Sequence, residues 1–401
     1  MSCSPISPAN FRIKLDEISH EYQLRAQMSE STNGQNPRVL ILTLNHGATH
    51  LRISRALEKA LLQLRPNLKV EVVDALEHCT LWFRAYYNSY EIPLRYWPGL
   101  WDVIEDHQYK GRTTGPWWLY RRGTRPLRRY IEAFAPDVVV ATEVGLAEIA
   151  TIHKREYGAR YYLVGTETFS YERSWAQPEV DLFISHPGEV AEQIRSLGVP
   201  AEKVLECGIL VDPGFVPSAN RPALRARLGL QNDLPVFLVN FGGSGKVRPR
   251  EVVAELRKVQ KPFQVVFIAR RNEGLRNKLL QLTTGMAHAL VLGWVDNMHE
   301  WMAASDMLLS RAGGGIVAEA LNCGCPMLVF DAPPGNEHRF CQMIEEIWHT
   351  GYWLRQPGEL AARIDRLVAH PEELQQLRQN ALRQGYPNAT RIAAEAVLRL
   401  G

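Results

Sequence analysis

The stretch from Ser305 to Arg339 constrains the fold more than any other part of this chain. A short apolar run, Met307 to Leu309, breaks at Gly313-Gly314-Gly315, Ile316 to Leu321 read as a small-residue helix, and Met327 to Phe330 form a second apolar run. That is strand, glycine turn, helix, strand. Three glycines at such a turn carry no Cβ and leave backbone N–H groups at a helix N-terminus, where the partial positive charge favours a phosphate. Glu319 falls one turn inside the helix, where a carboxylate can accept both hydroxyls of a ribose diol. The plainer alternative is a tight turn with a solvated glutamate. A second polar loop, Pro334-Gly335-Asn336-Glu337-His338, follows the next strand at the same sheet edge and favours the ligand reading.

The same alternation runs through the chain. Arg38 to Leu44 is an apolar strand followed by Asn45-His46-Gly47-Ala48-Thr49-His50, after which Leu51, Ile53, Ala56, Leu57, Ala60 and Leu61 recur at helical spacing. Val70 to Val73, Asp137 to Ala141, Tyr161 to Val164 and Asp181 to Ser185 continue the strand series. Proline, glycine and charge interrupt it between Gly208 and Asp233. A second series follows with Val236 to Phe241, Phe263 to Ile268, Ala289 to Leu292, Met307 to Leu309 and Met327 to Phe330. Strands alternating with helices imply parallel, doubly wound sheets with ligands at their carboxyl edges. The expected organisation is an extension over residues 1–37, a first α/β domain over 38–208, a linker over 209–234, a second α/β domain over 235–385, and a C-terminal helix over 386–401 packing back on the first domain. A cleft then separates the two domains.

Ala-Gly-Gly-Gly-Ile-Val-Ala-Glu-Ala-Leu (312–321), Gly-Cys-Pro-Met-Leu (324–328) and Pro-Gly-Asn-Glu (334–337) together resemble the donor-binding segment of the family 28 glycosyltransferases. These are two-domain GT-B enzymes that include the peptidoglycan lipid-linked N-acetylglucosaminyltransferase, the monogalactosyldiacylglycerol synthases and the diacylglycerol glucosyltransferases. The resemblance implies that Glu319 holds the ribose of UDP and that Asn336 and Glu337 meet the donor sugar. It also implies an inverting transfer of a hexose from a UDP-sugar to a lipid acceptor, at the inner face of a membrane to which a cytoplasmic protein attaches peripherally.

Other loops fit that expectation. His50 opens the first helix, where a neutral imidazole can take the proton of an attacking hydroxyl. The family's Gly-Gly-Gly-His or Gly-Gly-His turn is similar to Gly47-Ala48-Thr49-His50, which has lost two glycines, so His46 and His50 both stay open as the base. Gly165 to Trp175 resembles the galactolipid-synthase segment Thr-Asp-x-x-x-x-x-x-Thr-Trp, with Glu167 in place of the aspartate. Glu167, or Glu143 after an earlier strand, is the carboxylate expected to orient the base. Asn240-Phe241-Gly242-Gly243-Ser244-Gly245-Lys246 lacks the glycine and hydroxyl residue of a Walker loop and reads as a turn whose N–H groups and Ser244 approach the donor diphosphate. Gly293-Trp294-Val295-Asp296, with Arg270 on a neighbouring strand end, resembles the loop that closes on the uracil. Trp294 as plain core is the alternative.

From Leu81 to Tyr130 tryptophan, tyrosine and arginine are concentrated, with Trp117, Trp118, Arg121, Arg122 and Arg125 at the centre. Such a mixture suits an anionic membrane surface, and the galactolipid synthases have a similar aromatic stretch here. Core aromatics with solvated arginines, or single-stranded nucleic acid, are the rival readings. The 401 residues carry a net charge of only +3, which argues against a nucleic-acid binder. Six scattered cysteines suggest buried thiols rather than a disulfide frame, and Cys323 with Cys325 lacks the second pair a zinc site needs. No Asp-x-Asp occurs, so no obligatory metal or other cofactor is expected. A soluble acceptor, a UDP-N-acetylglucosamine 2-epimerase-like reaction and a nucleotide-sugar sensor without turnover remain as alternatives.

Overall fold

The computed structural model describes residues 37–45, 48–89, 115–169, 171–241, 248–330, 332, 336–356 and 358–401. Two six-stranded sheets, parallel throughout, organise the chain. The first holds β1 (Arg38–Thr43), β2 (Lys69–Asp74), β3 (Val138–Ala141), β4 (Tyr162–Thr166), β5 (Leu182–Ser185) and β6 (Val204–Glu206), in the order β2-β1-β3-β4-β5-β6. The second holds β7 (Val236–Asn240), β8 (Gln264–Ile268), β9 (Ala289–Leu292), β10 (Met307–Ser310), β11 (Met327–Val329) and β12 (Gly351–Trp353), in the order β12-β11-β10-β7-β8-β9. The central strands are covered on both faces, so β3 reads Val-Val-Val-Ala and is buried at every position. That is why their sequences are apolar runs instead of alternating ones.

In each sheet the chain starts in the middle and reverses direction once. After β1 the chain goes to β2 on one side and β3 on the other, and β7 likewise lies between β8 and β10. The carboxyl ends of β1 and β3, and of β7 and β10, are therefore the two crevices where an open α/β sheet binds ligands. This is the GT-B arrangement of two doubly wound domains.

The first helix, Ala48–Leu64, presents Ile53, Ala56, Leu57, Ala60 and Leu61 to β1, β3 and the C-terminal helix Ala389–Leu400. Ala393, Ala394 and Val397 of that last helix lie in the same core, so the chain ends inside the domain in which it began. An aromatic cluster crosses between the domains: Phe169 packs on Phe340 and Trp348, and the buried His186 on Trp348 and Tyr386. Apolar burial of this kind holds the relative placement of the sheets through non-directional contacts.

Several boundaries differ from expectation. β4 runs through Gly165 and Thr166, and the helix after the glycine turn begins at Gly314 rather than Ile316. The extension before Pro37 lies outside the described residues. The thiols of Cys79, Cys207, Cys323, Cys325 and Cys341 are buried and unbridged.

Candidate functional site

At the crevice of the first sheet, His50 in the opening turn of the first helix donates from Nδ1 to the carbonyl of Thr142 at 2.5 Å. Thr142, just past β3, is itself pinned to Leu42 of β1 through its N–H at 3.2 Å and its hydroxyl at 3.1 Å. A carbonyl accepts only, so the proton sits on Nδ1 and the lone pair on Nε2 is left for chemistry. The expected orienting carboxylates take other positions. Glu143 caps the helix Val144–Tyr157, accepting from the Leu146 N–H at 3.2 Å and from the Tyr87 hydroxyl at 2.6 Å. Glu167, one residue beyond β4, accepts from the N–H and hydroxyl of Thr168 at 2.8 and 3.3 Å. Burial raises its pKa above the usual carboxylate range, while the charge of His50 is the largest opposing influence. Glu167 and His50 thus sense one another through space, and the hydrogen bond that aims the imidazole comes from the backbone. His46 lies outside the described residues.

At the crevice of the second sheet, β10 ends in Ser310 and the helix Gly314–Asn322 begins after Gly313. Glu319 on that helix is 4% exposed. Across the cleft, Arg52 Nη1 donates to its Oε1 at 2.6 Å. Burial pushes the Glu319 carboxyl up to about 7, against the opposing pull of Arg52. The glycines matter because the first domain closes upon them. A Cβ on Gly314 would stand 2.6 Å from Thr168 Oγ1, and one on Gly315 would stand 3.0 Å from Arg52 Nη2 and 3.2 Å from Thr49 Oγ1. The helix of His50, the loop of Glu167 and the glycine turn are therefore in contact.

The remaining donor-side positions line the same edge. Glu337, in the first turn of the helix Asn336–Gln342, is held bidentately by Arg311, at 2.6 Å from Nη2 and 3.2 Å from Nε. Asn336 begins that helix. Arg270, in the turn two residues after β8, is in a left-handed conformation, φ 56°, and its charge is among those acting on Glu319. Trp294 is 49% exposed, which rules out the plain-core alternative; Arg271 lies over its ring at 4.4 Å and Asp296 accepts from its Nε1 at 2.7 Å. Val295 is partly buried against the core. Gly242, Gly243 and Ser244 lie outside the described residues.

Arg52, Arg311 and Thr142 are the site residues that sequence reasoning missed. Arg52 and Arg311 each stand beside a recognised motif, three residues after Thr49 and two before Gly313, and that adjacency was the available signal. Among the described residues, no three His, Cys, Asp or Glu side chains cluster as a metal site.

Two neighbouring helices of the first domain, Leu81–Asn88 and Trp117–Gly123, carry a second feature. Leu81, Trp82, Tyr86, Trp117 and Trp118 are exposed, with Leu81 at 79% and Trp118 at 54%, while Phe83, Leu119 and Tyr120 between them are buried. Arg122 and Arg125 are exposed as well. Arg121 is engaged by the Tyr157 hydroxyl at 3.1 Å and by Glu156 at 3.3 Å. The aromatic residues are thus divided: some are core, as the plainer reading had it, and the rest are exposed. Among the described residues, no helix is long and apolar enough to cross a membrane.

Residues 238–390 match the Glycosyltransferase family 28 C-terminal domain. The chain is 24% identical over 357 residues to a processive diacylglycerol beta-glucosyltransferase of Bacillus cereus (strain G9842), covering 86% of this chain and 89% of the relative. Among solved structures it is similar to MurG of Acinetobacter baumannii, at 13% identity and a TM-score of 0.58, covering 90% of this chain and 99% of the other. A UDP-glucosyltransferase of Polygonum tinctorium gives 15% identity, a TM-score of 0.61, and 92% and 99% coverage. The UDP-GlcNAc 2-epimerase of Neisseria meningitidis has the same fold at 16% identity and a TM-score of 0.57, covering 90% and 99%.

Proposed function

We propose that this chain, a GT-B hexosyltransferase whose second domain belongs to glycosyltransferase family 28, moves a hexose from a UDP-sugar to the hydroxyl of a membrane lipid such as diacylglycerol, with inversion at the anomeric carbon. The observation that carries the lipid reading is the exposure of Leu81, Trp82, Tyr86, Trp117 and Trp118 on two neighbouring helices, with Arg122 and Arg125 exposed in the same segment. Large apolar side chains rimmed by cations are costly in water and suit the headgroup layer of an anionic bilayer. The curated relatives named for diacylglycerol support the same acceptor class.

In this reading His50 Nε2 takes the proton of the acceptor hydroxyl as its oxygen attacks the anomeric carbon from the face opposite the diphosphate. The new C–O bond forms as the bond to the diphosphate oxygen breaks, and UDP leaves. Thr142 fixes the productive tautomer, and Glu167 stabilises the imidazolium that forms. Glu319 accepts the ribose hydroxyls, the N-terminal N–H groups of the helix Gly314–Asn322 meet the leaving charge, Arg270, Trp294 and Val295 surround the base, and Asn336 and Glu337 contact the sugar. The sequence motif Gly242-Gly243-Ser244 is assigned to the same diphosphate. The protein works at the cytoplasmic face of the membrane, attached peripherally.

The test is product formation. A radiolabelled UDP-hexose incubated with vesicles containing diacylglycerol yields label in the lipid extract. Label found only in a water-soluble product or in an epimerised nucleotide sugar overturns the lipid reading.

A further inference from the structure

We infer that the second domain carries a binding site for a small phosphate monoester at the edge of its sheet opposite the donor loops, built from Arg221 and Arg378 around the Arg225–Asp306 pair. A cavity of about 350 Å³ opens there, at the amino ends of β7 and β10. Its walls are the helix Arg221–Arg227, Leu234 and Pro235 before β7, Asp306 before β10, and the helices Glu359–Ala369 and Pro371–Gln384.

Charge in this cavity is unbalanced. Three guanidinium groups line it, and the only partly buried carboxylate among the lining residues is Asp306. Asp306 is already committed, accepting from Arg221 Nη2 at 2.6 Å, from Arg225 Nη2 at 2.5 Å and from the Val236 N–H at 2.7 Å. Arg225 is structural: it is buried, and its Nε reaches the Ala304 carbonyl at 2.9 Å. The other two arginines keep donors in reserve. Arg221 commits only Nη2 to Asp306, which leaves Nη1 without a hydrogen bond among the described residues. Arg378 gives Nη1 to the Gly324 carbonyl at 2.9 Å and makes no ion pair among the described residues. Burial lowers the pKa of both Arg225 and Arg378; for Arg378 the nearby Arg221 is the next influence and lowers it further, whereas for Arg225 the Asp306 carboxylate opposes the shift. Asp233, the one other carboxylate on the wall, is exposed.

A tetrahedral dianion supplies what this arrangement lacks. Its several oxygens can accept from Arg221 Nη1 and from the remaining N–H groups of Arg378 at once, and charge-assisted bonds of that kind are the strong ones. The volume lies at the lower end of the range of about 300–1,000 Å³ typical of small-molecule pockets, which admits a phosphate with a small organic part. Arg221 stands on the segment that enters the second domain, and Arg378 on the helix that leads back towards the first. A phosphate between them ties the entering and the returning segments together.

Titration calorimetry with inorganic phosphate and with glycerol 3-phosphate, against sodium chloride at matched ionic strength, tests the site. Saturable binding is expected, with affinity unchanged when UDP is present at saturation. Arg378→Gln and Arg221→Gln should each weaken it by about tenfold or more while leaving UDP affinity as it was. The site is refuted if no saturable phosphate binding occurs, if UDP competes with it, or if both variants, folded by circular dichroism, bind as the wild type does. Should one variant fail to fold, the UDP competition and the other variant still decide. None of these outcomes bears on the acceptor, so the site and the lipid reading stand or fall separately.

Discussion

Arg52 of the first domain donates from Nη1 to Oε1 of Glu319 in the second at 2.6 Å, an ion pair between residues 267 positions apart in the chain. Arg52 is half exposed and Glu319 is not, so the pair stands at the mouth of the ribose position assigned above. If the carboxylate turns to a ribose diol, this contact is the one that must rearrange.

The pH dependence of UDP binding follows from that pair. Burial pushes the Glu319 carboxyl from 4.5 up to about 7, so in the empty protein it holds its proton through much of the acid range. Accepting both ribose hydroxyls needs the carboxylate, so UDP affinity should rise as pH climbs through about 7 and level off above it. Arg52→Gln removes the main influence that lowers this pKa and should move the profile to higher pH. Glu319→Ala should weaken UDP binding by about 1.5–3 kcal/mol and flatten the profile. Calorimetry across pH 5.5–9, a range of about three and a half units around the shifted value, reads all three. The stability sign is opposite: the folded state holds the proton more tightly than the unfolded one, so this group costs stability as pH rises from 4.5 towards about 7. An unchanged UDP affinity in Glu319→Ala would remove the diol assignment.

His50 should behave differently. His50→Ala is expected to lower the turnover rate by about 10²–10⁴-fold, the usual range for losing a general base, with UDP and vesicle binding retained. Steady-state kinetics beside UDP calorimetry makes the distinction. A full turnover rate in the variant would shift the base to another residue.

The outward patch predicts a membrane contact. Binding to vesicles should increase with anionic lipid and decline with added salt, because exposed charges are screened beyond about 10 Å at 0.1 M. Trp118→Ala combined with Arg122→Glu and Arg125→Glu should reduce co-sedimentation and transfer to embedded acceptor while UDP affinity holds. Arg121 is unsuitable for this set, since Glu156 and Tyr157 engage it. Equal co-sedimentation of wild type and variant at every lipid composition would dissociate the patch from the membrane.

Metal dependence gives a further check. The leaving diphosphate is assigned to N–H groups and cations, an arrangement that requires no divalent ion. Activity should persist in excess EDTA. Complete loss, restored by magnesium or manganese, would contradict that assignment.

What could be read from the sequence followed physical scale. The short apolar runs and their alternation with helical periods were enough for two doubly wound domains, because β-branched runs such as Val138 to Ala141 between helical segments suit buried parallel strands. β6 and β12 went unseen, since Val-Leu-Glu and Gly-Tyr-Trp are three residues each without a continuous aliphatic run, whereas the equally short β11, Met-Leu-Val, adjoins a recognised motif. The glycine turn and Glu319 were noticed as motifs, but their partners were not. Arg52 and Arg311 are single charged residues whose sequence context matches any solvated surface arginine, and only the packing of one domain on the other brings Arg52 to Glu319. Thr142 was invisible for a different reason: it acts through a backbone carbonyl, which every residue has.

The central claim, UDP-hexose transfer to a lipid hydroxyl with His50 as base, is tested most directly by the rate of UDP release from UDP-glucose and UDP-galactose. The assay compares vesicles with and without diacylglycerol, for wild type and His50→Ala. Release that depends on diacylglycerol, accumulates with glycosylated lipid in equal amount and disappears in the variant is the predicted result. UDP release at the same rate without diacylglycerol, or unchanged in His50→Ala, would contradict it.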